Sequence, residues 1–221
     1  MNLHGLHHVT AITARARDNH EFYTGVLGLR LVKKTVNQDD VSAYHLFYAD
    51  GAGTPGTDLT FFDWPATPEQ RGTHSIIRTS LRVDSADHLG WWRDRFHSRS
   101  IRHDNVTERD GRNVLDFEDP EGQRLTLVAD PTPGGTPWAH SPVPEDRQIR
   151  GLGPSTLSVP KLERTDRIFR ELLNLRAVRS YEAGGREVQV YQAGEEPGAA
   201  RELHVAVEPG LPFARQGAGA V

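Results

Sequence analysis

Two imidazoles stand side by side in GLHHVTAIT (5–13), His7 and His8, at the head of a β-branched run. Imidazole binds divalent metals and moves protons near neutral pH. On a helix, His4, His7 and His8 would share one face. On a strand, His8, Thr10 and Ile12 point one way, and His7, Val9, Ala11 and Thr13 the other. Val9, Thr10, Ile12 and Thr13 favour the strand. His8 then reads either as a metal ligand or as a histidine satisfied in a core. His7 reads as a substrate contact or as a cap on nearby carbonyls. Tyr44, His45 and Tyr48 cluster in a second strand-like run, where packing or a substrate-side role would suit them. His204 lies in RELHVAVEP with Glu202 two residues before it, on the same face of a strand. No metal site is expected there, because the matching opening strand offers Gly153 and Pro154. Trp91, Trp92 and Phe96 read as packing residues, and His74, His88, His97, His103 and His140 as surface residues.

The elements that must position these groups recur in order. A strand over 5–13 leads to a helix, with Asp18 three before Glu21 in capping-box spacing and an apolar face of Phe22, Tyr23, Val26 and Leu27. Gly28 supplies a stop. Strands are predicted over 29–36, 43–48 and 58–62, with GAGTPGT as the turn between the last two. A second set follows: a strand over 75–83, a helix over 86–96, and strands near 101–105, 113–117 and 123–128. Residues 131–148 are rich in Pro and Gly and read as a linker. At an offset of 146, YTGVLGLRLVK meets FRELLNLRAVR, with Gly28 opposite Asn174 and Thr10 opposite Thr156. The chain is thus three copies of a βαβββ unit of roughly seventy residues: 1–65, 73–130 and, after the linker, 149–209.

Bulk properties narrow the classes. The chain has 221 residues, 25% charged, and a formal net charge of −4. The acidic balance argues against a nucleic-acid partner. There is no cysteine, which excludes disulfides and thiolate metal sites. No stretch approaches eighteen consecutive apolar residues, so no membrane span is expected, and without a signal-peptide pattern the expected location is cytoplasmic. Nucleophile-elbow, P-loop and HExxH motifs do not occur.

Tandem βαβββ units resemble the vicinal oxygen chelate superfamily, which includes glyoxalase I, bleomycin-resistance proteins and extradiol ring-cleaving dioxygenases. The resemblance implies an α+β fold whose paired units curve into cups around a divalent metal. DPEGQRLTLV (119–128) looks like the closing strand of such a unit, with Thr126 where a Glu ligand often stands. GLHHVTAIT with YHLFYADGAGTPGTDLTFF (44–62) is similar to dioxygenases that open hydroquinones. That likeness implies His8 as an Fe(II) ligand, with Mn(II) a possible replacement, and His7 and Thr10 beside the substrate. It also implies a fourth unit carrying the second His and the Glu, pairing with the first unit while the second pairs with the third. The fourth unit has no counterpart in this sequence.

O2 reacts slowly with singlet organic molecules unless a metal shares electrons, and two His with one carboxylate on one face of Fe(II) is the recurring arrangement. His8 alone does not meet it, since affinity needs several preplaced ligands. The expectation is therefore a ring-cleaving dioxygenase of small aromatics that is inactive as this chain alone. A broad apolar face on the first unit would be covered by the missing unit or by a second copy in a homo-oligomer. Two rivals stand beside it: a glyoxalase-type metal isomerase, which uses no O2, and a metal-free protein that binds small molecules such as antibiotics.

Overall fold

A computed structural model describes residues 3–38 and 40–221. The first sheet holds β1 (His8–Thr13), β2 (Arg30–Val36), β3 (Tyr44–Ala49) and β4 (Asp58–Asp63) in the order β1-β4-β3-β2. Strand alternation sends Val9, Ala11 and Thr13 inward against Leu59, Phe61 and Tyr48. Over them lies α1 (Ala16–His20), which widens into a π-helical turn, Glu21–Val26. Phe22 and Tyr23 are both buried there, and the Tyr23 ring stacks on Tyr48 at 5.2 Å and meets Phe61 at 4.6 Å. The expected capping box does not form. Arg15 precedes the helix without a side-chain cap, and Asp18 lies inside the first turn, paired to Arg15 at 3.3 Å.

The remaining strands form one eight-stranded sheet. It contains β5 (Ser75–Val83), β6 (Thr107–Arg109), β7 (Arg112–Glu118), β8 (Arg124–Ala129), β9 (Leu152–Val159), β10 (Arg176–Ala183), β11 (Arg186–Gln192) and β12 (Glu202–Val207). Their order is β10-β11-β12-β9-β5-β8-β7-β6, with β5 and β9 antiparallel at the centre. α2 (Ala86–Ser98) buries Leu89, Trp92 and Phe96 beneath it. α3 (Glu163–Arg167) runs into a second π-helical turn, Ile168–Leu172, which recurs at the same place as the first. Gly28 and Asn174 follow the two turns with φ of 74° and 55°, the left-handed stop that the repeat implied. At Gly28 a Cβ would also lie 2.6 Å from Val143 Cγ2, so the turn has no room for a side chain.

A further expectation is corrected. The strand near 101–105 is absent; His103 makes a single bridge to Phe117, and the strand forms at β6 instead. Residues 131–148, read as a linker, pack against the rest of the protein. Thr136 N donates to Asp50 Oδ2 at 2.6 Å, Ser141 Oγ to Gly28 O at 2.8 Å, and Trp92 Nε1 to Arg147 O at 3.0 Å. Val143 is buried in the core, so the segment is a strap seated on both sheets' helices. Proline and glycine here limit regular structure but do not prevent packing.

The DPEG turn that closes β7 onto β8 holds a titratable group. Asp119 Oδ1 accepts from the backbone N–H of Glu121 and Gln123, both at 2.9 Å, and Oδ2 accepts from Tyr23 OH at 3.1 Å. Burial pushes its carboxyl up to about 6, against the pull of these donors. A raised acid stabilises the fold at pH below its unfolded value and loses that contribution as pH climbs through about 6. The change from 3.8 to about 6 corresponds to about 3 kcal/mol. Asp119→Asn should therefore gain stability relative to the parent between pH 4 and pH 8, by up to that amount in urea unfolding. Parallel pH profiles for the two proteins would contradict it.

Candidate functional site

Strand pairing places His8 beside Asp58, Thr10 beside Thr60 and Ile12 beside Phe62 on one face of the first sheet. β3 adds Phe47 next to Thr60 and His45 next to Phe62, and β2 adds Lys33 next to Phe47. Thr60 Oγ1 donates to Thr10 Oγ1 at 2.8 Å, which ties the two strands across this face. His8 is exposed at its upper end. His7 precedes the first residue of β1, so strand alternation does not govern it. Its Nδ1 lies 3.1 Å from His8 Nδ1, with the rings edge-on at 5.3 Å. The opposite-face placement expected from alternation is thus overturned, and the two imidazoles share one site.

A cleft of about 360 Å³ opens beside them, with His8 and Thr10 on one wall and Ile76, Leu157, Leu203 and Val221 on the other. That is the size range and lining of small-molecule sites. Val221 arrives there because Gly219 N donates to Ile12 O and Ala220 O accepts from Ile12 N, both at 2.9 Å, along the outer edge of β1.

Of two neighbours of His8, Asp58 escaped the sequence reading, while His45 was read there as a packing or substrate-side residue. Asp58 is half-buried; desolvation raises its carboxyl, while His7 and His8 draw it back. The signal was the period of two on β4, but only the parallel β1–β4 pairing puts that residue next to His8. His45 is wedged between Phe47 and Phe62, with ring centroids at 4.0 and 4.2 Å. Burial, and then His8 and Lys33, lower its proton affinity, and its Nε2 has no hydrogen-bond partner among the described residues. Tyr48 points to the opposite face and is core; Tyr44 is exposed, with Lys34 Nζ 3.8 Å above its ring. The face as a whole is mixed, with His8, Asp58, Lys33 and the threonines among its aromatic groups, and not the broad apolar surface expected.

A facial triad needs two imidazoles and a carboxylate converging on one point. The described residues of this face do not assemble one. One imidazole and two carboxylates converge elsewhere, at His204, Asp110 and Glu202, on the face of the eight-stranded sheet. Thr126, at the position resembling a lost Glu ligand, is buried and donates to Asp116 Oδ1 at 2.5 Å. The turn GAGTPG (51–56) carries the glycine spacing of a dinucleotide-binding loop, yet it joins antiparallel β3 and β4 and no helix follows it.

Paired βαβββ sheets with chemistry-bearing side chains on the inner faces define a class, and the sequence agrees. Residues 5–127 match the Glyoxalase/Bleomycin resistance protein/Dioxygenase superfamily, and the chain belongs to it. Its relatives include MhqA of Bacillus subtilis, described as a ring-cleaving dioxygenase, with 43% identity over 224 residues, all of this chain and 71% of MhqA. The chlorohydroquinone/hydroquinone 1,2-dioxygenase of Sphingobium indicum is 32% identical over 177 residues, 78% of this chain and 55% of that enzyme. A solved Bacillus subtilis structure described as a dioxygenase superposes with a TM-score of 0.89 at 31% identity, over the whole chain and 68% of its own. Glyoxalase I from Zea mays, at 14% identity and a TM-score of 0.69 over 96% of this chain and 70% of its own, shares the fold. No helix among the described residues is long and apolar enough to cross a membrane.

Proposed function

We propose that this chain carries part of the active site of an Fe(II)-dependent ring-cleaving dioxygenase acting on hydroquinone-like aromatics with O2. The observation that carries the reading is the placement of His8 and Thr10 on the wall of an apolar cleft, with the His7 ring against that of His8. Relatives of this chain are named as ring-cleaving dioxygenases, and two His with one carboxylate are the donor set suited to non-haem iron. His8 supplies one imidazole of that set. The other two donors come from outside this face. When bound, the iron would let electrons pass between the aromatic ring and O2.

The protein's own groups bind and orient. The apolar wall of Ile76, Leu157 and Leu203 excludes water from one face of the ring. His7, paired through Nδ1 with His8 Nδ1, would accept or return a substrate hydroxyl proton through its other ring nitrogen. Thr10, fixed through Thr60, holds a hydroxyl at a constant position.

The test joins this chain to the part of MhqA that it does not match and measures oxygen uptake with hydroquinone and Fe(II). Uptake is expected from the joined protein and not from the 221 residues alone. His8→Ala should reduce it by roughly a thousandfold or more. Unchanged uptake after His8→Ala would sink the proposal. Conversion of a hemithioacetal without O2 would favour the isomerase, and tight binding of an aromatic after chelation would favour the metal-free binding protein. Substituting Mn(II) for Fe(II) in the same assay decides the metal.

A further inference from the structure

The cup formed by the eight-stranded sheet contains a second constellation that the proposed reaction does not use. Asp110, in the turn between β6 and β7, meets Glu202 and His204 of β12, and one ligand atom from each lies within 4.8 Å of the others. Their side chains are almost wholly buried, with 9%, 1% and 7% exposure. Two buried carboxylates require compensating positive charge. Two guanidinium groups supply it, from opposite sides of the cup. Arg112 of β7 donates to both oxygens of Glu202 at 2.8 and 2.9 Å. Arg179 of β10 donates to Asp110 Oδ1 at 2.8 Å, to Asp110 Oδ2, and to Glu202 Oε2 at 2.9 Å.

We infer that Arg112 and Arg179 stand in for a divalent cation, so that Asp110, Glu202 and His204 form a latent metal site held shut by the protein's own charges. The charge balance is the first support, since two guanidinium groups bring the same +2 as one metal ion. The second is His204. Arginine and carboxylate alone would complete an ion-pair network, and such a network has no need of a buried imidazole. Here His204 Nε2 sits 3.2 Å from Glu202 Oε2, and Nδ1 is held by Tyr181 OH at 2.9 Å. An imidazole bound to metal through one nitrogen needs a partner that fixes the other, and a hydroxyl can accept from Nδ1–H as readily as it donates to Nδ1. The closed site also keeps a cation offered to the protein from lodging in this cup and away from His8.

The site is tested in a His7→Ala, His8→Ala background, so that the paired imidazoles of the first sheet contribute no ligand. Co2+ is added to the full chain, and visible absorption, binding stoichiometry and Tm are recorded. With the arginines intact, no cobalt ligand-field band and no Tm shift are expected. Arg112→Gln with Arg179→Gln should bind one Co2+ per chain with a tetrahedral-type band, and its Tm should rise with cobalt concentration. Adding His204→Ala should abolish both signals. Saturable binding of one Co2+ by the arginine-intact chain, lost on His204→Ala, would show an open metal site and overturn the inference. So would a folded double variant that binds none. If the Gln pair does not fold, Arg112→Met with Arg179→Met replaces it; failure of Co2+ to restore the fold of either pair also overturns the inference.

Discussion

Glu202→Ala lowers the stability of the protein by about 3–5 kcal/mol, the cost of stranding buried charges that have lost their partner. Glu202 is almost fully enclosed, and its two oxygens take hydrogen bonds from Arg112, Arg179 and His204. Removing it leaves two guanidinium groups facing each other across the cup with Asp110 alone between them. Arg112 and Arg179 keep 23% and 35% exposure, so water recovers part of the loss and the lower end of the range is expected. Glu202→Gln, which keeps the shape and one acceptor, should cost less. The pH dependence provides a separate check. Burial raises the Glu202 carboxyl, but the donors of His204, Arg112 and Arg179 outweigh it and hold the group well below the ordinary carboxylate range. A depressed acid contributes stability above its unfolded value near 4.5 and loses it as pH falls through the folded value. The alanine variant should therefore lose less stability than the parent on acidification below pH 4.5. Urea unfolding followed by circular dichroism measures both effects, and a loss under about 1 kcal/mol would contradict the account.

Trp92→Ala should cost a further large sum, about 3–5 kcal/mol. The ring is fully buried in α2, edge-on to Trp91 at 5.2 Å and near Phe96 at 5.5 Å, and Phe96 lies 4.6 Å from Phe117 of β7. Truncation opens a cavity between the helix and the eight-stranded sheet. It also frees Arg147 O, which Trp92 Nε1 otherwise binds at 3.0 Å. Trp92→Phe separates the two contributions. It retains most of the volume and loses the hydrogen bond, at a cost of about 1–2 kcal/mol. Limited proteolysis should then cut faster within residues 131–148 in both variants, because that bond anchors the strap. Resistance equal to the parent's would mean that Val143 and Ser141 alone hold the strap in place.

The sequence by itself determined the α+β class and the repeat, and with it the left-handed stops at Gly28 and Asn174. These are local properties: strand alternation, helix stops and turn residues act over a few positions and leave a pattern in the chain. It also marked His8 and Thr10 as neighbours on one face, because period two needs nothing beyond the strand itself. Where a residue lies just outside an element, as His7 does, that rule has no hold, and the ring turned to the same side. The family likeness implied that the second unit pairs with the third, as β5 and β9 do, but only the tertiary structure decided the register and the side chains brought together. That choice brought Asp58 to His8 and Asp110, on a turn, to Glu202 and His204 on a distant strand. It also filled the second cup with Arg112 and Arg179. Charge pairing of that kind depends on distances through space between residues far apart in the chain, and no periodicity records them.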